Sequence, residues 1–372
     1  VPPLEAWQKV LVDPVKFVEN DPHAKVATCT QCHGGSAASE MEAAHDGVIT
    51  NPTGNAELVV EKCGACHKEI TEAQVKSLHF DSHGYDTIVG QRLGDAPESH
   101  AAWQEAQANH CSSCHTSCGD CHVSQPGSVG GGLVSGHQFK ATQAFTKTCT
   151  GCHGSRVNNE YTGRNEGIPA DIHWTKAGMP CFKCHTGDEL HGMTGEKAQR
   201  YDGAPSPSCL DCHPDVAPGK GQIMQHNLHG DKLACQVCHA VENKSCYSCH
   251  VQTTEGGTPF FKTEPSVMDF KIGLNPQKSE DRPWDYVVLR HVPVDPDNFA
   301  FYGEDVLANF DALPTWKYAT PHNIQRITPQ NETCDGCHGN AEIFLSEADL
   351  KEYEIEANQG VIPTNLPPKT GQ

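Results

Sequence analysis

The stretch His110-Cys111-Ser112-Ser113-Cys114-His115-Thr116-Ser117-Cys118-Gly119-Asp120-Cys121-His122 decides how the chain is read. It holds two C-x-x-C-H units back to back, with a further His in front. C-x-x-C-H is the attachment signature of c-type haem. Two thiols three positions apart each bond one vinyl group of a porphyrin, and the His after the second Cys lies under the iron as proximal ligand. Two such groups tied so close in sequence must be near each other in space. The expected function is therefore one that needs closely spaced redox groups, the passing of electrons.

The same unit recurs along the chain. It stands at Cys29/Cys32/His33, Cys63/Cys66/His67, Cys111/Cys114/His115, Cys118/Cys121/His122 and Cys149/Cys152/His153. It stands again at Cys181/Cys184/His185, Cys209/Cys212/His213, Cys235/Cys238/His239, Cys246/Cys249/His250 and Cys334/Cys337/His338. These motifs take up all 20 cysteines, so no thiol is left for a disulfide or a separate metal site. Paired C-x-x-C units also build four-cysteine zinc sites, and an even Cys count also marks disulfide frameworks. Neither accounts for a His after the second Cys every time, in a chain with only 23 His among 372 residues. Ten covalently attached haems c are the expected cofactors.

Ten haems in 372 residues leave about 37 residues each, too few for every haem to have its own protein core. Hydrophobic residues are 37% of the chain, the 20 Cys included, so the interior is expected to be largely porphyrin. With 34 Gly and 25 Pro, turns and short helices should outnumber long elements. The expected fold is mainly α and irregular: short helices and loops wrapped round a chain of ten covalent haems, with one small strand-containing segment. A haem-rich region with nine motifs spans 1–250, a motif-free insert 251–333, and the last motif with a C-terminal helix and tail 334–372.

The formal net charge is −20, and haem propionates would add to it. That excludes nucleic acid and anionic lipid headgroups as partners. No apolar run reaches the length of a membrane span. The opening Val1-Pro2-Pro3 carries no basic and apolar leader, so a mature form with its signal peptide removed is expected. The expected location is extracellular or at the cell surface, with the periplasm as the alternative.

Residues 1–20 read as an amphipathic helical lid, with Trp7, Val10, Leu11, Val15 and Val18 at helical spacing and a break at Pro14. A helix is expected from Glu57 to near His79, and another from Pro97 to His115 that delivers His110 into the double motif. Gly130-Gly131-Gly132 reads as a flexible stretch near a haem rather than a phosphate cradle. Trp284 to Val292 is the one convincing strand, ended by Pro293, and Ala341 to Asn358 reads as a polar helix.

Ten of the 23 His follow a second Cys; the other thirteen are candidates for the opposite face of an iron. The preferred distal candidates are His23, His45, His79, His110, His137, His173, His191, His229, His291 and His322. His83, His100 and His226, each near another His, are the weakest. His23 and His229 each stand six residues before the first Cys of a motif, and His137 and His322 each stand twelve before one. Such recurring offsets suggest recurring roles.

On these motifs the chain resembles the multihaem c-type cytochromes. Its central part, about residues 100–195, looks like the octahaem tetrathionate reductase and hydroxylamine oxidoreductase relatives. The likeness rests on Asn109-His110, Cys118-Gly119-Asp120-Cys121-His122-Val123-Ser124, Gly136-His137, Cys152-His153-Gly154-Ser155-Arg156, Asn158-Asn159-Glu160-Tyr161 and Glu189-Leu190-His191-Gly192. Those enzymes keep one iron open, and related nitrite reductases use Lys as proximal ligand; here every motif ends in His. The haem count matches decahaem conduits that move respiratory electrons out of cells. The resemblance thus implies an electron carrier without catalytic residues. It would act with redox partner proteins or an extracellular acceptor, and allows head-to-tail copies of itself as a filament. The competing expectation is a reductase of a nitrogen or sulfur oxyanion at one open haem.

Overall fold

The computed structural model describes residues 13–81, 83–112, 116–142, 144–205 and 207–371. Its helices are short and its strands shorter, with much irregular chain between them. The longest helix among the described residues, Pro97–His110, delivers His110 to the double motif but ends there, short of the expected His115. No helix among the described residues is long and apolar enough to cross a membrane.

The motifs fold as single helical turns. Cys29–His33, Cys118–His122, Cys149–His153 and Cys235–His239 are α-helices of five residues. In four others the first Cys carbonyl accepts from the N–H of both the second Cys and the His. These are Cys63 with Cys66 and His67, Cys181 with Cys184 and His185, Cys209 with Cys212 and His213, and Cys334 with Cys337 and His338. Residues three and four apart share a helix face, so one turn turns both thiols and the imidazole to the same side. Three turns are started by a capping box written into the motif itself. The backbone N–H groups of Thr28, Ser117 and Ser208 donate to the side chains of Gln31, Asp120 and Asp211, each just before the second Cys.

The motif Cys246–His250 departs from this. Its last two residues begin a strand, Cys249–Thr253, in which neighbouring side chains point to opposite faces.

The chain divides into two compact units, each discontinuous in sequence. The first comprises 1–84, 111–154 and 181–200, and the second 85–110, 155–180 and 201–372. The first holds six motifs and the second four, and the motif-free stretch 251–333 lies wholly within the second.

Only the second unit has a protein core of its own. Seven strands form three small antiparallel sheets: β1 (Asn243–Lys244) with β4 (Met268–Asp269), β2 (Cys249–Thr253) with β3 (Pro259–Thr263), and β5 (Lys271–Leu274), β6 (Tyr286–His291) and β7 (Trp316–Tyr318) in that order. β6 is the strand expected within 284–292. It is central, paired on both edges, and four of its six residues are buried. Its Val287, Val288 and Leu289 form one core cluster with Ile272, Trp316 and Phe344. In the first unit, by contrast, Val59 and Val123 are the only buried hydrophobic residues among those described.

Several local expectations are corrected. A helix, Pro14–Asn20, begins at Pro14 with Asp13 as its cap, since Pro suits the first position, and the part of the expected lid before residue 13 lies outside the described residues. Its Val15 and Val18 are 63% and 60% exposed, while Trp7, Val10 and Leu11 lie outside the described residues. The helix expected from Glu57 ends at Gln74 and is interrupted at His67, which leaves helical angles at φ −115 and ψ 42. The segment 341–358 is a set of single turns, Glu347–Asp349, Glu352–Glu354 and Ile355–Asn358. Gly130, Gly131 and Gly132 all take positive φ, which explains three glycines in a row.

Candidate functional site: paired histidines

Seven motif histidines each face a histidine from outside the motifs. In the first unit the ring centroids lie 6.1 Å apart for His67 and His23, 5.9 Å for His33 and His137, 6.4 Å for His153 and His79, and 6.0 Å for His122 and His191. In the second they lie 6.1 Å apart for His213 and His173, 6.0 Å for His239 and His226, and 6.1 Å for His338 and His229. Every pair joins one motif His to one non-motif His.

Aromatic rings in ordinary contact spread over about 4.5–7 Å. Histidines packed on other rings here range from 4.9 Å, for His23 with Phe139 and Phe17 with His137, to 5.9 Å, for His137 with Phe139. Two imidazoles that each give Nε2 to one metal atom at about 2 Å sit with centroids about 6.3 Å apart. The seven pairs cluster at that separation.

Ring hydrogen bonds fit the same geometry. Nδ1 of His33, His122, His239 and His338 meets the backbone carbonyl of Ile49, Lys140, Gln325 and Pro368 respectively. Nδ1 of His229 meets Gln225 O, and Nδ1 of His23 and His173 meets the carboxylates of Asp21 and Asp171. An Nδ1–H donated this way fixes the tautomer whose Nε2 carries the lone pair. Burial lowers the pKa of His79, His137, His191 and His239, which keeps them neutral and able to ligate at neutral pH.

The remaining histidines have other company. Nε2 of His83 meets Lys197 O, Nε2 of His110 meets the Tyr302 hydroxyl, and Nε2 of His291 meets Glu354. His110 and His291, both preferred distal candidates, thus turn their ligating nitrogen to protein oxygens. His45 turns Nδ1 to Met41 O and is exposed, as is His100. The His322 backbone N–H donates to Glu160. Nδ1 of His185 faces both oxygens of Glu189 at 3.1 and 3.2 Å, and that hydrogen bond raises its pKa. His250 lies 3.9 Å from Asp295 and 3.7 Å from Asp297. Cys114 and His115 fall outside the described residues. His226, a weak candidate by sequence, is the paired residue that spacing missed; its neighbour His229 serves a different motif.

The motif cysteines also lie close to one another. Cys149 and Cys181 share a hydrogen bond, as do Cys209 and Cys235. Cys63 lies near enough to Cys32 and Cys118, Cys149 to Cys121, and Cys238 to Cys337, to alter the ionisation of each. Burial pushes the Cys63, Cys121 and Cys238 thiols up to about 11. The described thiols do not converge in fours. Among the described residues the one group of three or more metal-ligand side chains with close donor atoms is His250, Glu264 and Asp295. Lys351 occupies that group's charge, 3.1 Å from Asp295 and 3.6 Å from Glu264.

An interior built of porphyrin would enclose the thioether sulfurs, and the polypeptide alone does not do this at every motif. Of the expected thioether residues, Cys29, Cys66, Cys209, Cys212 and Cys334 are exposed, while Cys184, like Cys111 and Cys152, is only half-buried. The reason is local. The backbone N–H groups of Cys66, Cys184 and Cys212 donate within their own turns, to Cys63 O at 3.1 Å, Cys181 O at 3.1 Å and Cys209 O at 3.3 Å, and a single turn carries too little chain to cover its own sulfur. The structure thus sets these three residues on the right face of their turns and leaves their attachment to haem as an expectation.

No family model, curated protein or solved structure matches the chain.

Proposed function

We propose that the protein is a multihaem electron carrier: ten haems c attached at the ten motifs form a wire, most of them ligated by two histidines. The observation that carries this reading is the set of seven imidazole pairs, each of one motif and one non-motif His, at 5.9 to 6.4 Å. Its support is that the thiols and the imidazole of a motif share one side of a helical turn, with the second imidazole facing them. The near-absence of a protein core in the first unit supports it too, since large apolar groups would supply one. The same groups would cover Cys66 and Cys212, which the chain leaves exposed.

Bound haem supplies a one-electron iron couple. The protein's part is to hold the groups. Paired thiols fix each porphyrin edge, paired imidazoles close both axial positions to substrate, and Nδ1 acceptors set the basicity of those imidazoles. Neighbouring motif cysteines bring successive groups close enough for electrons to pass.

In this reading the chain works outside the cytoplasm, at the cell surface or beyond it, between a donor and an extracellular acceptor or further copies of itself in a filament. The other reading, an oxyanion reductase at one open iron, needs cationic surroundings. The motif that departs from the common turn has the opposite, since His250 is bordered by Asp295 and Asp297.

The test is intact-mass counting of covalent haem with low-temperature EPR of the oxidised protein. Ten attached haems and a predominantly low-spin ferric spectrum are expected. Absence of covalent haem would overturn the whole reading, and a spectrum dominated by high-spin iron would overturn the histidine pairing.

A further inference from the structure

One local device occurs twice along the chain. In the first unit Asp21 is 2% exposed. Its Oδ1 accepts from the His23 backbone N–H at 2.8 Å and lies 3.0 Å from His23 Nδ1. Its Oδ2 accepts from the Phe139 N–H at 2.6 Å, two residues past His137. The next residue, Lys140, donates its N–H to His122 O at 2.9 Å, and its carbonyl lies 2.7 Å from His122 Nδ1.

In the second unit Asp171 is likewise 2% exposed. Its Oδ1 lies 2.8 Å from both the His173 backbone N and Nδ1. Its Oδ2 accepts from the Ile324 N–H at 2.9 Å, two residues past His322. The next residue, Gln325, donates its N–H to His239 O at 2.7 Å, and its carbonyl lies 3.0 Å from His239 Nδ1. Every bond of the first set has its counterpart.

The sequence repeats with the geometry. His137-Gln138-Phe139-Lys140 leads to Thr148-Cys149-Thr150-Gly151-Cys152-His153-Gly154. His322-Asn323-Ile324-Gln325 leads to Thr333-Cys334-Asp335-Gly336-Cys337-His338-Gly339. Pairing follows the same order: His23 with His67 and His173 with His213, then His79 with His153 and His229 with His338. His137 is paired with a motif His, His33. His322 occupies the corresponding place in the second set.

Resting on the haem reading above, we propose that each buried aspartate is a positioning residue for two iron ligands at once. Asp21 holds His23 directly and His137 through Phe139; Asp171 holds His173 directly and His322 through Ile324. His322 is thereby assigned as an axial ligand. One carboxylate oxygen orients an imidazole and makes it more basic, while the other fixes the backbone that carries the second imidazole.

The test uses purified holoprotein, with haem counted first by mass. His322→Ala is expected to keep every haem attached and to convert one low-spin ferric centre to high spin, with added imidazole restoring the low-spin signal. His322→Met, the variant to use where Ala does not yield folded protein, is expected to raise one reduction potential. Asp21→Asn and Asp171→Asn are each expected to keep all irons low-spin while shifting the potential of the His23 or His173 iron upward. An unchanged spectrum in His322→Ala, or unchanged potentials in His322→Met, would remove His322 from the ligands. Unchanged potentials in both Asn variants would refute the aspartate role. A wild-type protein without haem would instead sink the reading on which the proposal rests.

Discussion

A histidine that ligates through Nε2 has to carry its proton on Nδ1, so the acceptor at Nδ1 matters as much as the distance to the metal. A second criterion, a ring that faces a motif imidazole rather than engaging protein oxygens through both nitrogens, separates His226 from His83, two residues the sequence treats alike. His226 faces His239 at 6.0 Å, whereas both ring nitrogens of His83 are engaged, by Asp81 and by Lys197 O. We predict that His226→Ala converts one haem to high spin in low-temperature EPR, and that His83→Ala leaves the spectrum unchanged. Equal effects would discard the criterion.

Glu189 gives a second prediction at this scale. Four other motif histidines donate Nδ1 to neutral carbonyls, while His185 faces a carboxylate. A carboxylate gives the imidazole more anionic character and lowers the potential of the iron beneath it. Glu189→Gln should therefore raise one potential in a redox titration and leave the rest in place. The ten motif histidines were legible as residues because the signature is local. Their partners were only partly legible: the twelve-residue offset shared by His137 and His322 was visible, but the shared Asp contacts that give it meaning join residues more than a hundred positions apart.

At the scale of elements, what the sequence could show was whatever one turn decides. The C-x-x-C-H units that follow Thr28, Ser117 and Ser208 fold as capped turns because the capping Ser or Thr and the Gln or Asp three residues on lie within one turn. Thr148 and Thr333, whose units carry Gly before the second Cys, form no such box. The small sheets are another matter. β7 is three residues long and owes its existence to pairing with β6, so nothing in Trp316-Lys317-Tyr318 announces it. That strand also holds an ionisable group in a costly place. Burial, and the nearby Arg92 charge, lower the Lys317 pKa to about 7 from its ordinary 10.5. Between those values the unfolded chain binds more protons than the folded one, so this group makes stability rise with pH from about 7 to 10.5 and leaves a penalty below 7. We predict that Lys317→Met flattens that rise in denaturant titrations and stabilises the protein at pH 7, on the order of a few kcal/mol. A variant that loses stability at pH 7 would show that the ammonium is compensated.

For the whole molecule the question is what replaces a hydrophobic core. The second unit has one, built on β5, β6 and β7 with Leu345 and Val361 closing it. The first unit has six motifs, two buried hydrophobic residues among those described, and apolar side chains such as Val26, Met41 and Ile70 left 75%, 77% and 40% exposed. Self-repulsion in a chain of net charge −20 works against compaction throughout. The polypeptide of the first unit by itself buries too little apolar surface to offset the entropy of ordering its backbone, which is the role the proposed haems would fill. Chain produced where haem is not attached should therefore separate by unit in hydrogen exchange. Amides of β5, β6 and β7 should keep protection, while those of the motif turns at 29–33, 63–67 and 118–122 exchange at near-random-coil rates and gain protection in the holoprotein. Equal protection of those turns with and without haem would mean that the polypeptide alone holds them, and the prosthetic groups would then be passengers rather than the core.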